Sequence, residues 1–413
     1  MLLEFSFENH RSVKEKVTLS MVASNDIVLE SELILFDKNR LSRLASIYGA
    51  NGSGKSTILN AMSQFKALVL NSINHQPGDK IIRNPHKLSL PDAPTSFNCQ
   101  FIKSGTRYAY GVSFTENGIE DEYLYHFKKG RQAKIFERTG LEITFGENYR
   151  KSSELALTVL KENRLFLSCA ANYSTIEEIE EVFLFIKEDV VVYGNLPNDW
   201  LSYTAKMLSN NPSIKNVFMD FLHATGSDVI DVRTKFEKKR FESHELPPDM
   251  PNSIKALFTD QDATVVEAKL QYNQFVLDIQ EESDGVKKLF EILCPLIDII
   301  MNDKVLFWDE LESSLHPCIV KEILRFFKFG ISNSKSQLIF TTHDINLLDL
   351  SFFRRDQIWF TELDKSNRSS DLYSLNELKK VRKDENIQKG YISGKYGAIP
   401  CLSPTTADSL NMR

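Results

Sequence analysis

The chain of 413 residues is poor in cysteine and pairs none of it. Cys99, Cys169, Cys294, Cys318 and Cys401 are scattered, with no Cys-x-x-Cys. That spacing excludes a zinc ribbon and a disulfide framework and fits a reducing compartment. No apolar run is long enough to span a bilayer. The start, Met1-Leu2-Leu3-Glu4-Phe5, has neither the basic region nor the apolar run of a secretory leader. A cytoplasmic protein with no membrane partner is therefore expected. A formal net charge of −6 gives no overall basic excess, which leaves a local basic groove as the route to nucleic acid. Repeats and low-complexity tracts are absent. What is present, 42% hydrophobic and 26% charged residues, is enough for the cores of two or three soluble domains.

Glycine is also sparse, yet three of the 17 glycines fall between Gly49 and Gly54. They sit in Ile47-Tyr48-Gly49-Ala50-Asn51-Gly52-Ser53-Gly54-Lys55-Ser56-Thr57. The apolar run from Leu44 to Tyr48 reads as a short buried strand, and Thr57 onward reads as a helix with apolar residues at helical spacing. Strand, Gly-x-x-x-x-Gly-Lys-Ser, helix is the context that a phosphate-binding loop requires. Glycines let backbone N–H groups approach a polyphosphate, and the helix N-terminus presents positive potential to it. Gly49, Asn51, Gly52, Gly54, Lys55, Ser56 and Thr57 are the candidate ATP-binding residues. Lys55 is expected on the β/γ-phosphates and Ser56 on Mg²⁺.

Before this loop, Leu3–Phe7 alternates as a half-buried strand, and Val13–Ala23 resumes strand character after a turn. Arg11 in that turn reads first as a solvated arginine, with a place near the nucleotide as its functional reading. After the first helix, Ser96–Ile102, Arg107–Phe114, Ile119–Phe127 and Lys134–Arg138 form an antiparallel meander with hairpin turns. Gln100 lies within a hairpin strand and carries no nucleotide role here. From Ser153 the texture turns helical, with an amphipathic run at Ile176–Ile186 and another helix at Ile214–Leu222. Lys235-Phe236-Glu237-Lys238-Lys239-Arg240 is the densest basic patch, read first as a solvated face and second as a partner or nucleic-acid contact. Ala263–Lys269 and Gln274–Ile279 read as a strand pair. The expected organisation is 1–152 as the first half of a nucleotide-binding head, 153–262 as a mainly helical insertion, and 263–413 as the second half with the tail.

Three further constellations carry chemistry. Lys304-Val305-Leu306-Phe307-Trp308-Asp309-Glu310 is an apolar strand ending at two acids, and nucleotide sites of open α/β sheets lie at such strand ends. Asp309 is the candidate Mg²⁺ ligand beside Ser56, and Glu310 the candidate general base for water. Ile339-Phe340-Thr341-Thr342-His343-Asp344 is a second buried strand ending near a histidine. A lone histidine is often structural; following a strand as Lys55 and Glu310 do, His343 becomes a candidate γ-phosphate sensor. Glu282-Ser283-Asp284-Gly285 opens the helix that runs to Ile300, with Pro295 inside it. Ser283 and Gly285 form a candidate second anion-binding corner, although Ser-x-Gly is also an ordinary helix start.

The order phosphate loop, Ser-x-Gly helix, acidic strand, histidine strand resembles the ATP-binding-cassette ATPases. The likeness is to the branch holding the SMC proteins, RecF and the double-strand-break repair ATPases. Glu312-Ser313-Ser314-Leu315-His316-Pro317 stands where that branch has its D-loop. The resemblance implies an α/β fold: an ABC-type P-loop head with an antiparallel β subdomain and a helical insertion. It also implies a homodimer or higher oligomer in which Ser283 and Gly285 of one head close over ATP and Mg²⁺ in the other. The departure from Leu-Ser-Gly-Gly at Glu282–Gly285 bears on how tightly protomers close.

Four stretches narrow the likeness to AAA-type ATPases of bacterial abortive-infection and anti-phage systems, such as the ATPase subunits of PARIS and Septu and ATPases beside retrons. These are Phe5–Ser12, Asn163-Arg164-Leu165-Phe166-Leu167-Ser168, Asp309–Glu312 and Tyr396-Gly397-Ala398-Ile399-Pro400. The chain after His343 is too short for the TOPRIM nuclease domain of the related OLD proteins. The resemblance therefore implies a sensor or scaffold ATPase controlling a separate effector, a nuclease, with DNA or a phage protein as trigger. A RecF-like DNA-clamping repair ATPase is the alternative.

Overall fold

A computed structural model of the chain describes residues 1–128, 130–194, 200–239, 263–330, 334–379, 381–382 and 385–400. The chain divides into two compact units. One comprises Met1–Leu196, Ile300–Glu312 and Leu324–Arg413, and the other Pro197–Ile299 and Ser313–Ile323.

In the first unit, β1 (Leu2–Glu8) pairs antiparallel with β2 (Val17–Ser20), and the small hairpin β3 (Ile34–Phe36) and β4 (Asn39–Leu41) follows. Strand β5 (Leu44–Tyr48) then leads into helix α1 (Lys55–Asn71). A meander follows: β6 (Thr95–Lys103), β7 (Thr106–Phe114), β8 (Ile119–Lys128), β9 (Arg131–Thr139) and β10 (Glu142–Phe145). It joins β1 and β2 in one antiparallel sheet of order β10-β9-β8-β7-β6-β1-β2. Strand β6 alternates buried and half-buried residues, as a strand with one covered face does. The covered faces meet α1 through Phe5, Phe65, Phe97 and Tyr110, whose ring centroids lie 5.8–6.3 Å apart. Gln100 is held inside this sheet by Glu4 and Arg107, in keeping with a structural role.

The stretch read as a mainly helical insertion is divided between the units. Its helices Phe166–Tyr173 and Glu177–Leu184 contribute Cys169, Ile179 and Val182 to the same core as α1. Val190–Tyr193 is a strand, β11. The second unit holds helices Trp200–Asn210 and Pro212–Ala224 and an antiparallel sheet of β12 (Asp231–Lys239), β13 (Ala263–Gln271) and β14 (Val276–Asp278). The expected strand pair is present as β13 and β14. The basic run begins inside β12, and Arg240 lies outside the described residues. Helix Asp284–Met301 continues through Pro295 without a break. Proline removes the N–H that would bond the Glu291 carbonyl. The buried Thr204 hydroxyl donates to that carbonyl instead, at 3.0 Å.

Strands β15 (Val305–Trp308), β16 (Gln337–Thr341), β17 (Ile358–Leu363) and β18 (Ser370–Ser374) complete the second large sheet, of order β11-β15-β16-β5-β17-β18. All its pairs are parallel except β17 with β18. Every residue of β5, β15 and β16 is buried, as expected for parallel strands covered on both faces. The expected α/β class with an antiparallel subdomain is therefore present. The tail, which reads as mixed and polar, contributes β18 and a short helix, Ile387–Ile392. Among the described residues no helix is long and apolar enough to cross a membrane.

A buried ion pair ties the meander to the segment Asn163–Ser168. Glu122 and Arg138 are fully enclosed and 3.2 Å apart. Glu122 also accepts from the Tyr110 hydroxyl and from the N–H groups of Phe166 and Leu167 at 2.7–2.9 Å, which places a carboxylate at a helix N-terminus. Arg138 spends its remaining donors on the carbonyls of Gly140, Lys161 and Arg164. Removing one partner strands a buried charge, at a cost of about 3–5 kcal/mol. Arg138→Ala is therefore expected to lower the stability of the first unit by about that amount, read as a shift in urea unfolding midpoint. An unchanged midpoint would show that the pair is not needed.

Candidate functional site

The phosphate loop starts where the buried strand β5 ends. Gly54 has φ +110°, and a Cβ there would lie 2.5 Å from Ser370 Oγ and 3.0 Å from Ser12 Oγ. Gly49 is enclosed differently: a Cβ would meet the Thr361 carbonyl oxygen at 2.6 Å. Both glycines are required by what packs behind the loop. Ser53 Oγ and Thr361 Oγ1 are hydrogen-bonded at 2.6 Å, and Thr57 Oγ1 and Ser12 Oγ at 3.0 Å. The loop is thus fixed from both flanks. Lys55 opens α1 and is buried. Its Nζ donates to the carbonyls of Gly49 and Ala50 at 2.8 and 3.2 Å. Burial lowers its pKa, against the opposing pull of Asp309, Glu310 and Glu312.

The acidic and histidine strands are neighbours, with Trp308 opposite Phe340. Beyond that register their ends are stitched together. The Thr341 hydroxyl donates to Asp309 Oδ1 at 2.6 Å and accepts from the Glu310 N–H at 2.7 Å. The Leu311 N–H donates to the Thr341 carbonyl at 3.1 Å, and the His343 N–H donates to Glu312 Oε1 at 2.6 Å. On the other side, the Asp309 N–H donates to the Tyr193 carbonyl at 3.0 Å. A Cβ at Gly194 would lie 2.8 Å from Asp309 Cβ. Glu310 is exposed and has φ +51°, a left-handed conformation that is costly for a residue with a Cβ.

Two cavities flank the loop. The larger, about 900 Å³, is lined by the Gly49–Ser53 half of the loop, His343, Arg368, Tyr391 and Pro400. The smaller, about 480 Å³, is lined by Arg11, Ser56, Asn60, Tyr193 and Asp309. The two candidate metal ligands thus line one cavity, and Arg11 joins them there. A hydroxyl and a carboxylate beside a phosphate site suit Mg²⁺, which keeps waters and substrate phosphates in its shell. The structure brings together Gly49, Asn51, Gly52, Gly54, Lys55, Ser56, Thr57, Asp309, Glu310 and His343 in the first unit. Ser283 and Gly285 belong to the second, at the start of helix Asp284–Met301. There Ser283 Oγ accepts from the Val286 N–H at 3.5 Å, and a Cβ at Gly285 would lie 3.5 Å from the Ser314 carbonyl oxygen.

Sequence reasoning gave no role at the site to Thr341 or Gly194, and named Glu312 and the tail stretch Tyr396–Pro400 only for their resemblance. The one available signal was a threonine at the last position of an apolar strand. The tail walls the larger cavity: Tyr391 packs on Tyr48 at 5.9 Å, and its hydroxyl donates to the Ala398 carbonyl at 3.0 Å. Ala398 itself has φ +57°. The Tyr373 hydroxyl donates to the Tyr396 carbonyl at 2.7 Å, which ties this stretch to β18, and Ala398, Ile399 and Pro400 line the larger cavity with the loop. Gly194→Ala is expected to push Asp309 out of line and to weaken Mg²⁺-dependent nucleotide binding about tenfold, with metal-free binding unchanged. Fluorescent-nucleotide titration with and without Mg²⁺ checks this, and equal losses in both would refute it.

Residues 44–349 match the family described as "AAA domain, putative AbiEii toxin, Type IV TA system". No curated protein matches the sequence. Similar solved structures include an SMC head bound to the C-winged helix domain of ScpA, at 15% identity and TM-score 0.43, covering 90% of this chain and 97% of that one. The SMC head domain from Thermotoga maritima matches at 12% identity and TM-score 0.41, covering 90% and 98%. An SMC head domain with an extended coiled coil from Pyrococcus furiosus, bound to the C-terminal domain of ScpA, matches at 13% and 0.37, covering 90% and 96%. The architecture described above rests on the chain's own strand order.

Proposed function

We propose, from the premise that this chain belongs to that family of AAA domains, that it binds ATP with Mg²⁺ and hydrolyses it to ADP and phosphate. The observation that carries the reading is the Thr341 hydroxyl, which holds the Asp309 carboxylate and the Glu310 backbone at once in the unit that contains Lys55. In this reading the backbone N–H groups from Gly49 to Thr57 cradle the polyphosphate, and Lys55 leaves the loop carbonyls for the β/γ-phosphates. Ser56 and Asp309 hold the metal, which when bound offsets charge on the phosphate oxygens. Glu310 takes the proton of the attacking water as the bond to the β-phosphate oxygen breaks, and His343 meets the γ-phosphate.

The reading extends to a role: sensor or scaffold subunit of an abortive-infection system, with ATP state controlling a separate effector, a nuclease. The family description supports this direction, since it groups such domains with a toxin of a toxin–antitoxin system. Ser283 and Gly285 are assigned to ATP held by a second copy of the chain, in a homodimer or higher oligomer.

Lys55→Ala is expected to weaken ATP binding by about 100-fold or more, because a buried lysine whose ammonium lies on the loop is lost. Unchanged affinity in isothermal titration would refute the site. Glu310→Gln is expected to bind ATP and accumulate as ATP-bound dimers on size exclusion, with turnover reduced by about 100-fold or more. Wild-type turnover would remove Glu310 as the base. Tight, salt-dependent retention of duplex DNA by the chain alone would favour the DNA-clamping repair ATPase instead.

A further inference from the structure

The N–H groups of β16 alternate between its two neighbours. The Thr342 N–H donates towards β5, to the Ile47 carbonyl at 3.1 Å, so the His343 N–H faces the β15 side. Strand β15 has ended at Trp308 by then, and the chain has turned through Glu310. Leu311 pins that turn, with its side chain fully buried and its N–H on the Thr341 carbonyl. The next residue supplies what the strand no longer can: a Glu312 carboxylate oxygen takes the His343 N–H at 2.6 Å.

A strand end needs only an acceptor, and an amide oxygen would serve. Of the Glu312 carboxylate only Oε1 is spent in this way; Oε2 is buried with no hydrogen-bond partner among the described residues. The Oε1 bond fixes the course of the chain at His343. His343 is exposed and lines the larger cavity together with the Gly49–Ser53 half of the phosphate loop. A swing of its backbone would carry the imidazole away from the position that a terminal phosphate would take. An ordinary capping carboxylate would matter for folding alone.

We propose that Glu312 is a positioning residue for His343, locking the histidine backbone through its carboxylate so that the imidazole is held over the terminal phosphate of bound ATP. The inference rests on the ATPase reading and goes beyond it by naming the residue that acts through His343. Glu312 acts on the chemical step, because orientation of a group that meets the γ-phosphate is felt most in the transition state.

The test is a double-mutant cycle on the full chain, with kcat and ATP affinity measured for Glu312→Ala, His343→Ala, the double variant and Glu312→Gln. Each alanine variant is expected to lose about 10- to 100-fold in kcat with ATP affinity within about threefold of wild type. The double variant is expected to lose no more than about threefold beyond the worse single, because both changes remove one device. Glu312→Gln keeps an oxygen for the His343 N–H and is expected to recover most of the rate. Wild-type kcat in Glu312→Ala, losses that multiply in the double variant, or a Gln variant as poor as Ala would each overturn the proposal. The ATPase reading is judged separately by Lys55→Ala and Glu310→Gln. If those behave as expected while Glu312 and His343 fail to couple, only the present inference falls.

Discussion

One hydroxyl holds the site together. Thr341 sits at the last position of a fully buried strand and spends its Oγ1 twice, on the Asp309 carboxylate and on the Glu310 N–H. Each bond is short, and the hydroxyl that makes both belongs to a fully buried residue. The two contacts explain how Glu310 tolerates a left-handed backbone. Its own N–H is anchored, Trp308 before it and Leu311 after it are buried, and the turn has nowhere to relax. Strain of about 1–3 kcal/mol is sustained because packing on both sides determines the geometry.

The phosphate loop meets a different constraint. It is pressed from behind, by Thr361 on Gly49 and by Ser12 and Ser370 on Gly54, whereas Gly52 has open space around it. The shape of the loop is therefore constrained by strands β17 and β18 and the first turn of the chain. Lys55 completes the picture: its ammonium bonds to carbonyls of the loop that it serves. An ammonium held by two neutral acceptors is one for which a multiply charged anion would compete readily.

How much of this was legible follows from the range of each interaction. The phosphate loop, the hairpins and the buried strands declare themselves in runs of a few residues, because a parallel strand covered on both faces is simply an apolar run. Val190–Tyr193 is such a run too, yet nothing local says that it pairs with Val305–Trp308 over a hundred residues on rather than staying with the helices around it. Thr341 and Glu312 were hidden for the same reason: their partners lie about 30 residues away and meet only through the register of β15 on β16. The packing of the tail was hidden by composition. A polar segment with few apolar residues gives no periodic signal, and its aromatic contacts with Tyr48 and Phe360 appear only in three dimensions.

The matched stretch Asn163–Ser168 carries no chemistry, and its position shows why a nucleotide site still needs it. Helix α1 starts at the loop and runs for about 25 Å, so a slide or tilt at its far end moves the loop. That far end is clamped. Ser72 accepts from the Leu165 N–H and donates to Ser168, which in turn donates to the Val69 carbonyl at the last turn of the helix. Asn163 and Arg164 hold the loop that leaves the helix through the carbonyls of His75, Gln76 and Asp79. The Glu122–Arg138 pair then binds this clamp to the antiparallel sheet. Thr57 on Ser12 secures the near end against the turn that joins β1 to β2 of that same sheet. The antiparallel sheet thus grips α1 at both termini, and the position of Lys55 is set by residues at opposite ends of the helix.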